Sequence, residues 1–321
     1  MNAPATVYIG VDVSKASLDF NAEGVRPGRV DNSPPAIRRE LGRIRKCQPA
    51  EAALHVCCES TGCYHDKLKT VCQKMGLAFS TLNAFKVKEY AKSTSILAKT
   101  DRIDAELIRR YAQHIKPAPD LVLSQFQKEL RDLAKTRASF TEMLVQAKTL
   151  LETAIMPQSK RHFTKHRSGL ERTLKTLDRQ MMELRRSDAR CDAVCTKLAE
   201  IEGVGDVTAI MTVALVPELG TLGRRRSASL AGLAPYAKDS GNFKGPRHIR
   251  GGRGNVRRLL FMPAFVAMRH NPILRDIYQK KRAEGKPHKV TLTALMRKLF
   301  ARMDRVAAIA IQEFEAAHQG T

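Results

Sequence analysis

Residues 7–15 read VYIGVDVSK, and the runs that follow are SLDFNAEG at 17–24 and GRVDN at 28–32. These runs are short and separated by small or polar residues, a pattern typical of consecutive β-strands. In the first run Asp12 alternates with the apolar Val11 and Val13, so its carboxylate is expected on the opposite face of the strand. The chain therefore begins with a predicted meander of strands that carries an acid.

Further elements are predicted downstream of the meander. Pro34 and Pro35 begin a helix at about 34–46, because proline is tolerated in the first helical turn. A buried strand follows at 53–60, then a helix at 64–75, a strand at 78–84 and a helix that starts near residue 101. The resulting order, β-β-β-α-β-α-β-α, is that of RNase H-like nuclease domains, whose central sheet carries acids at the ends of neighbouring strands.

Four acids occupy positions that fit such a domain. Asp12 lies in the first strand, Glu59 ends the strand at 53–60, and Asp101 and Asp104 share one face of the helix TDRIDAELIRRYA. Carboxylates of this kind hold Mg²⁺, and paired metal ions activate the attacking group and stabilise the leaving oxygen. The alternative is structural, with the acids acting as helix caps and strand ends.

The chain is strongly basic. Its 56 Lys and Arg residues against 32 Asp and Glu give a formal net charge of +24, which indicates a polyanionic partner, either nucleic acid or an anionic membrane surface. No apolar run approaches the roughly 20 residues of a spanning helix, and no signal-like segment starts the chain. We therefore expect a folded, soluble, intracellular protein that binds nucleic acid.

The seven cysteines predict neither disulfides nor structural zinc. Their number is odd and no CxxC pair occurs. Cys57 and Cys58 lie in an apolar run, where a reduced thiol behaves as a small hydrophobic group. We expect them in the core.

Long helices are predicted between about 120 and 200. Apolar residues recur at intervals of three and four in two stretches, from Phe126 to Leu151 and from Leu170 to Leu184, on either side of Pro157 and the basic connection QSKRHFTKHR. The pattern fits an antiparallel helical hairpin or a dimerising coiled coil, and the spacing does not separate the two. We expect self-association through this region.

The region from about 195 to 315 combines a glycine hairpin with basic residues, and helices are predicted at 254–269 and 289–314. The segment IEGVG at 201–205 resembles a helix-hairpin-helix element, in which N–H groups of Gly203 and Gly205 approach a phosphate; an ordinary helix–helix turn is the alternative. Ten Lys or Arg residues and one acid lie between 224 and 258. The candidate nucleic-acid ligands among them are Lys244, Arg247, Arg250, Arg253, Arg257 and Arg258.

Ser240 stands in the turn-rich stretch AKDSGNFKGPRHIRGG. A serine attacks a phosphodiester when its proton is removed and the charge of the transition state is stabilised by neighbouring basic groups. Spacing alone favours the simpler interpretation, a solvated turn residue beside a glycine.

Six stretches carry a family resemblance that spans nearly the whole chain. They are YIGVDVSKASLDF, CCESTGCYH, AKTDRIDAELI, IEGVGDVTA, LAGLAPYAKDSG and HIRGGRGNVRRLLFMPA. In this order they resemble the insertion sequence 110 family of transposases, which are bridge-RNA-guided DNA recombinases with a RuvC-like DEDD domain and a C-terminal serine domain. The helical segment between them is similar to the coiled-coil region of that family.

The resemblance implies a site and its partners. Asp12, Glu59, Asp101 and Asp104 would be the DEDD ligands of Mg²⁺, and Ser240 would form a phosphoserine link to DNA. Each composite site would join the acids of one protomer to the serine of another in a homo-oligomer, a dimer or tetramer. The implied partners are double-stranded DNA of the element ends and target and a guide RNA, in the bacterial or archaeal cytosol near the nucleoid.

One departure keeps the nucleophile open. After Ser240 and Gly241 the chain has Asn242 and Phe243, where some relatives carry small polar residues, so Ser227 and Ser229 are the alternative nucleophiles.

The expected architecture is α/β plus α in three domains. Residues 1–118 would form the RNase H-like (RuvC-like) mixed sheet with helices, residues 119–194 the helical coiled-coil region, and residues 195–321 a mainly helical transposase domain with the serine. Two other functions remain open. One is a junction resolvase-like nuclease that uses the acids and water, and the other is a non-enzymatic basic nucleic-acid-binding scaffold.

Overall fold

A computed structural model of the chain describes residues 5–60, 62–94, 101–237, 239–240, 243–245 and 247–318. At positions 101, 102, 240, 243 and 244 only the backbone belongs to the described part. The chain divides into two compact units, Met1–Val122 and Leu123–Thr321. The four acids belong to the first unit and the serine to the second.

The first unit is built on a five-stranded mixed sheet. Its strands are β1 (Thr6–Val13), β2 (Ser17–Ala22), β3 (Val25–Asp31), β4 (Ala53–Glu59) and β5 (Ala78–Leu82). Their order across the sheet is β3-β2-β1-β4-β5, with β1, β2 and β3 antiparallel and β4 and β5 parallel to β1. The central β1 is hydrogen-bonded on both sides, and its side chains are buried on both faces of the sheet, which explains its nearly continuous apolar character.

Helices cover both faces of the sheet. On one face α1 (Pro34–Lys46) and α2 (Asp66–Lys74) pack with apolar side chains such as Ile9 and Val11. On the other face α3 (Ala84–Ser93) and α4 (Asp101–Ile115) pack around residues such as Tyr8. The predicted order of elements is confirmed, and α3 is an additional short helix that the sequence analysis did not separate.

The second unit starts with the two long helices α5 (Gln125–Thr153) and α6 (Pro157–Arg186). They pack against each other as a hairpin within the chain, and Nε of Arg137 donates to Oδ1 of Asp178 at 2.5 Å across the seam. The predicted basic connection after Pro157 is wrong, because residues 158–167 belong to α6. Proline starts a helix readily, and no helix-breaking residue follows it before Gly169.

In its described residues, the rest of the second unit is mainly helical and includes four strands of two residues each. Its elements are α7 (Ala189–Ala199), α8 (Asp206–Leu215), α9 (Gly223–Leu230), β6 (Pro235–Tyr236), β7 (Asp239–Ser240), β8 (Phe243–Lys244), β9 (His248–Ile249), α10 (Gly254–His270), α11 (Pro272–Ala283) and α12 (His288–His318). Side chains of α8, α10 and α12, including Ile210, Leu260 and Phe300, form its core. The helices predicted at 254–269 and 289–314 are confirmed, and α11 lies between them.

All seven cysteines are free thiols, and five are buried. Burial raises the pKa of the Cys57 and Cys72 thiols to about 12, and it raises that of Cys58 as well. These groups are therefore protonated core residues, and the prediction that Cys57 and Cys58 lie in the core is confirmed.

None of the helices in the described ranges is both long enough and apolar enough to cross a membrane.

Candidate active site

Asp12 and Glu59 lie beside each other at one end of the sheet. The parallel pairing of β1 with β4 extends to Val11 and Cys58, so the two acids occupy the next position on each strand. Because side chains alternate along a strand, both carboxylates belong to the face that carries Gly10. Both residues are half-buried.

The helix α4 lies directly on this face. A Cβ on Gly10 would be 2.0 Å from the carbonyl oxygen of Ala105 and 2.5 Å from the backbone nitrogen of Arg109, so only glycine permits so close an approach. Nε of Arg109 donates to Oδ1 of Asn21 at 2.7 Å. The helix α4 is therefore joined to the sheet by backbone contact with β1 and by a hydrogen bond to β2.

The direction of α4 brings its N-terminus to the acidic end of the sheet. One turn beyond the contact with Gly10, Nε2 of Gln113 donates to Oε2 of Glu23 at 2.8 Å. Because β2 is antiparallel to β1, that contact lies at the end of the sheet away from Asp12. The first turn of α4, with the half-buried Asp104, therefore lies toward Asp12. The backbone of Asp101 starts this turn, and its side chain is outside the described part.

Asp19 is an acid on this face that the sequence analysis did not single out. It pairs directly with Asp12 across β1 and β2, is 5% exposed, and has its Oδ2 3.7 Å from NH1 of Arg29. Carboxylates opposite each other repel, so this end of the sheet requires positive charge, part of which Arg29 supplies. A signal was present, because Asp19 alternates with Leu18 and Phe20 as Asp12 does with its neighbours.

One buried amide connects the loops that follow the two acid-bearing strands. Nδ2 of Asn32 donates to the carbonyl oxygen of Ser14 at 2.9 Å and to that of Tyr64 at 3.0 Å. Ser14 follows β1 and Tyr64 follows β4. Nζ of Lys67 donates to the carbonyl oxygen of Asn32 at 3.1 Å. Asn32 therefore fixes the loops next to Asp12 and Glu59, a role that its place in the run GRVDN did not reveal.

The chemistry of these donors fits a hard divalent cation. Mg²⁺ is commonly held by one or two carboxylates, with water and substrate phosphate as its other ligands, and the adjacent Asp12 and Glu59 offer such oxygens. The N-terminus of α4 adds partial positive charge, which favours carboxylates such as that of Asp104 in its first turn. Among the described side chains, which exclude that of Asp101, no three His, Cys, Asp or Glu groups gather as a metal cluster.

Ser240 lies in β7, one of four short strands that pair antiparallel, β6 with β9 and β7 with β8, between residues 235 and 249; we call these strands the arm. The paired residues, from base to end, are Pro235 with Ile249, Tyr236 with His248, Asp239 with Lys244 and Ser240 with Phe243. Only two positions separate Ser240 from Phe243. The side chains of Ser240 and Lys244 lie outside the described part of the chain, so the arm positions the backbone of the serine.

Three glycines close the base of this arm. A Cβ on Gly252 would be 2.1 Å from the backbone nitrogen of Gly232, and one on Gly232 would be 2.0 Å from the carbonyl oxygen of Gly251. All three have positive φ, at +64° for Gly232, +70° for Gly251 and +68° for Gly252. NH1 of Arg257 donates to the carbonyl oxygens of Gly232 and Gly251 at 3.3 and 3.1 Å. The two ends of the arm therefore cross in backbone contact.

Arg253 anchors the same crossing to the core of the second unit. Its NH1 and NH2 donate to the two carboxylate oxygens of Glu218 at 2.8 and 2.6 Å. Burial raises the pKa of Glu218, but the hydrogen bonds and charge of Arg253 outweigh burial, so the pKa is lowered. The backbone nitrogen of Arg253 donates to the carbonyl oxygen of Leu230 at 2.6 Å. Arg253 and Arg257, both predicted to bind nucleic acid, thus make contacts within the protein.

The other arginines predicted to bind nucleic acid differ in their ion pairs and in their exposure. NH1 of Arg258 pairs with Glu142, and NH2 of Arg247 lies 3.7 Å from Oδ2 of Asp239. Arg250 is exposed. The exposed positions of Arg247, Arg250 and Arg258 leave them accessible to a polyanion.

The alternative serines differ sharply in exposure. Ser227 is fully buried, and its hydroxyl donates to the carbonyl oxygen of Arg224 at 3.1 Å. Ser229 is exposed. Burial leaves Ser227 inaccessible to a DNA phosphate in this conformation, whereas Ser229 is accessible.

In the glycine hairpin at 201–205, Gly203 packs against α10 and Gly205 does not. A Cβ on Gly203 would be 2.6 Å from the carbonyl oxygen of Pro263 in α10. Gly205 is exposed as the N-cap of α8, but Asp206 follows it and pairs with Arg185 at 2.9 Å. An acid at this helix start disfavours a phosphate, so the arrangement fits a helix–helix turn better.

Two family models match the chain, one on each side of the α6 helix. The model described as "Transposase", of the DEDD type, matches residues 9–156. The model described as "Transposase IS116/IS110/IS902 family" matches residues 195–279. The first match includes all four predicted acids and the second includes Ser240.

Curated relatives cover the chain at different lengths. The pilin gene-inverting protein of Moraxella bovis is 28% identical over 299 residues, which is 91% of this chain and 92% of that protein. The protein of the same name from Moraxella lacunata is 28% identical over 300 residues with the same coverage. An uncharacterized 44.8 kDa protein of insertion element IS116 from Streptomyces clavuligerus is 38% identical over 133 residues, 40% of this chain and 32% of that protein.

Proposed function

The chain belongs to the IS110 family of transposases, and from this membership we propose that it recombines DNA as the transposase of an insertion sequence, guided by a bridge RNA. The observation that carries the proposal is that Asp12 and Glu59 occupy adjacent positions at the ends of β1 and β4, with the first turn of α4 directed toward them. The sheet order, with three antiparallel strands followed by two parallel ones, supports an RNase H-like (RuvC-like) fold for this unit.

In the proposed reaction the serine is the nucleophile. Oγ of Ser240 forms a bond to the phosphorus of the scissile phosphodiester while the bond to the leaving deoxyribose oxygen breaks. The serine loses its proton to water or a neighbouring base, and the leaving oxygen gains one. Rejoining is the reverse reaction with the hydroxyl of the exchanged strand. Each step forms one phosphorus–oxygen bond and breaks one, so no external energy source is required.

The acids would prepare the phosphate for this attack. Asp12, Glu59, Asp101 and Asp104 would hold Mg²⁺, which when bound stabilises charge on the phosphate oxygens. Asn32 would fix the loops beside two of these acids. The support is the adjacency of Asp12 and Glu59 on neighbouring strands under the N-terminus of α4.

Recombination is favoured over hydrolysis by the relatives that align over almost the whole chain. They are named for inverting a pilin gene, and inversion requires that cut strands be rejoined. A covalent serine intermediate preserves the bond energy for rejoining, whereas hydrolysis by water does not. This comparison favours the recombinase over the resolvase-like nuclease.

The remaining parts of the proposal concern partners and organisation. The charge of +24 supports binding of both DNA and a guide RNA. The proposed organisation has the acids at 1–118, a self-associating helical region at 119–194 and the serine at 195–321. Acids and serine would come from different protomers of a dimer or tetramer in the cytosol, near the nucleoid.

A covalent adduct tests the serine. The purified protein, incubated with element-end DNA, the RNA encoded beside its gene and Mg²⁺, should give a protein–DNA adduct that survives denaturant. Ser240→Ala should reduce the adduct about 10³-fold or more, and Asp12→Asn should do the same, whereas Ser229→Ala should leave it unchanged. Cleavage without any adduct would identify a nuclease that uses water. Unchanged DNA activity in Asp12→Ala and Glu59→Ala would identify a binding scaffold.

A further inference from the structure

The N-terminal half of α6 carries basic groups that the proposed chemistry does not use. Between Pro157 and Leu170 there are four Lys or Arg residues and two histidines but no acid. Offsets of four and eleven residues return to nearly the same side of an α-helix, so Arg161, Lys165 and Arg172 form one stripe. We call these three residues, with the neighbouring His162 and His166, the basic face.

A groove lies along this face. It is a shallow, open groove of about 490 Å³, lined by His162, Lys165, His166, Gly169, Leu170, Arg172 and Thr173. Gly169 leaves the groove open, because a Cβ there would meet nothing within 4 Å. The polar lining consists of cationic, imidazole and hydroxyl groups and includes no carboxylate. Such a lining offers donors for the oxygens of an anion.

The charges of the basic face are not neutralised within the described ranges. Arg137, Arg185 and Arg253 each pair with a carboxylate of the second unit. By contrast, no ion pair joins the three cations of the basic face to a carboxylate of the described residues. The nearest acid in the sequence, Glu171, lies 3.7 Å from Nε of Arg167. All three cations are exposed to solvent.

The other side of α6 is already occupied. Leu174, Leu177 and Met181 are buried, and α6 packs on α5 within the chain. A helix that lies on a membrane surface inserts its apolar face between lipids. In α6 the apolar residues from Leu174 to Met181 are covered by protein, whereas Ile155 and Met156, just before the helix, are exposed. The combination of a covered apolar side and an exposed cationic side therefore favours a nucleic acid over a lipid surface.

We propose that the basic face binds the phosphodiester backbone of duplex DNA. Arg161 and Arg172 are separated by about 16 Å along the helix axis, a length that faces about five phosphates of one DNA strand. Contacts of this kind hold and orient the duplex without reading its sequence. The hairpin of α5 and α6 would then hold DNA in addition to any part in self-association.

Salt dependence of binding tests this assignment. The triple variant Arg161→Gln, Lys165→Gln, Arg172→Gln is compared with its parent, both carrying Ser240→Ala and both assayed without Mg²⁺ or RNA. Affinity for a 30-base-pair duplex is measured between about 50 and 200 mM salt. The slope of log affinity against log salt should decrease by about 2.7, because each lost phosphate contact removes about 0.9.

Two controls distinguish the effect of the basic face on the salt slope from the effect of total charge. Lys46→Gln, Lys74→Gln, Lys135→Gln removes the same charge from exposed positions elsewhere and should change the slope by less than about 1. Arg161→Lys, Arg172→Lys keeps the charges and should retain most of the slope. Equal slope changes in the two triple variants would overturn the proposal, provided that their melting temperatures match that of the parent.

The class of partner is tested with the same proteins. If the triple variant loses affinity for single-stranded RNA or for phosphatidylserine vesicles while its duplex slope is unchanged, the face belongs to that other partner and the proposal is wrong. The assay contains no cleavage step. A failure of the serine assignment therefore leaves this result unaffected, and the two proposals fail separately.

Discussion

At the residue scale, one buried carboxylate holds the loop that leads into α9. Asp304 of α12 is 4% exposed, and its oxygens accept hydrogen bonds from the backbone nitrogens of Gly220 and Gly223, both at 2.8 Å, and of Leu222 at 3.4 Å. Nitrogens at the start of a helix have no partner within it. One side chain of α12 therefore satisfies donors that the loop cannot satisfy itself.

Asp304→Ala should lower the free energy of unfolding by about 3 kcal/mol, because it leaves buried backbone donors without an acceptor. Urea unfolding followed by circular dichroism measures the change. Glu313→Ala on the same helix is the matched control, and its exposed position predicts a change within about 0.5 kcal/mol. Similar losses in the two variants would mean that Asp304 is no anchor.

At the element scale, the arm of residues 235–249 depends on the crossing at its base. Gly251 and Gly252 share nearly the same backbone conformation, with φ of +70° and +68°. Their surroundings differ, because a Cβ on Gly251 would meet nothing within 4 Å, whereas one on Gly252 would be 2.4 Å from Cα of Gly232. Substitution of each glycine therefore distinguishes the cost of backbone strain from the cost of steric overlap.

Gly251→Ala should destabilise the protein by about 1 kcal/mol, the cost of a left-handed conformation for a residue with a Cβ. Gly252→Ala adds a clash with backbone atoms that cannot rotate away, so its loss should be larger, about 3 kcal/mol or more. Denaturant unfolding of both variants and the parent measures the two costs. Equal costs would show that the crossing is not tightly packed.

At the scale of the whole molecule, the first unit ends on a segment attached to its edge strand. The backbone nitrogen of Asp120 donates to the carbonyl oxygen of Phe79 at 2.7 Å. The carboxylate of Asp120 accepts from Nζ of Lys69 at 2.7 Å and from Oγ1 of Thr81 at 2.8 Å. Burial raises the pKa of Asp120, but Lys69 and Thr81 outweigh it, and the pKa is lowered below 3.8. The ion pair between Lys69 and Asp120 thus fastens the end of the first unit, just before its boundary at Val122.

Asp120→Asn should destabilise the protein by about 2 kcal/mol near neutral pH. A carboxylate whose pKa is lowered by folding contributes its full stability above its unfolded pKa and loses it as pH falls through the folded pKa. The difference between parent and variant should therefore shrink below about pH 4. Unfolding measured from pH 7 to pH 3 checks this, with Glu51→Gln as an exposed control. A difference that is constant with pH would contradict the assignment.

The order of elements in the first unit was predictable because local patterns carry it. Alternation around Asp12 and the two prolines that begin α1 indicate a strand and a helix without reference to the rest of the chain. The N-terminal half of α6 was not predictable in this way, because its many charges conceal the apolar side that packs on α5. α3 was missed because it is short and directly follows β5.

Amino-acid pattern alone determined the strands, the main helices, the surplus of positive charge and the identity of four candidate acids, since each depends on residues close in sequence. Tertiary structure decided which side chains meet. It brought Asp19 opposite Asp12, engaged Arg253 with Glu218, buried Ser227 and left the stripe of Arg161, Lys165 and Arg172 open. These outcomes depend on strand register and helix packing, which bring together residues far apart in the chain, and no local spacing encodes them.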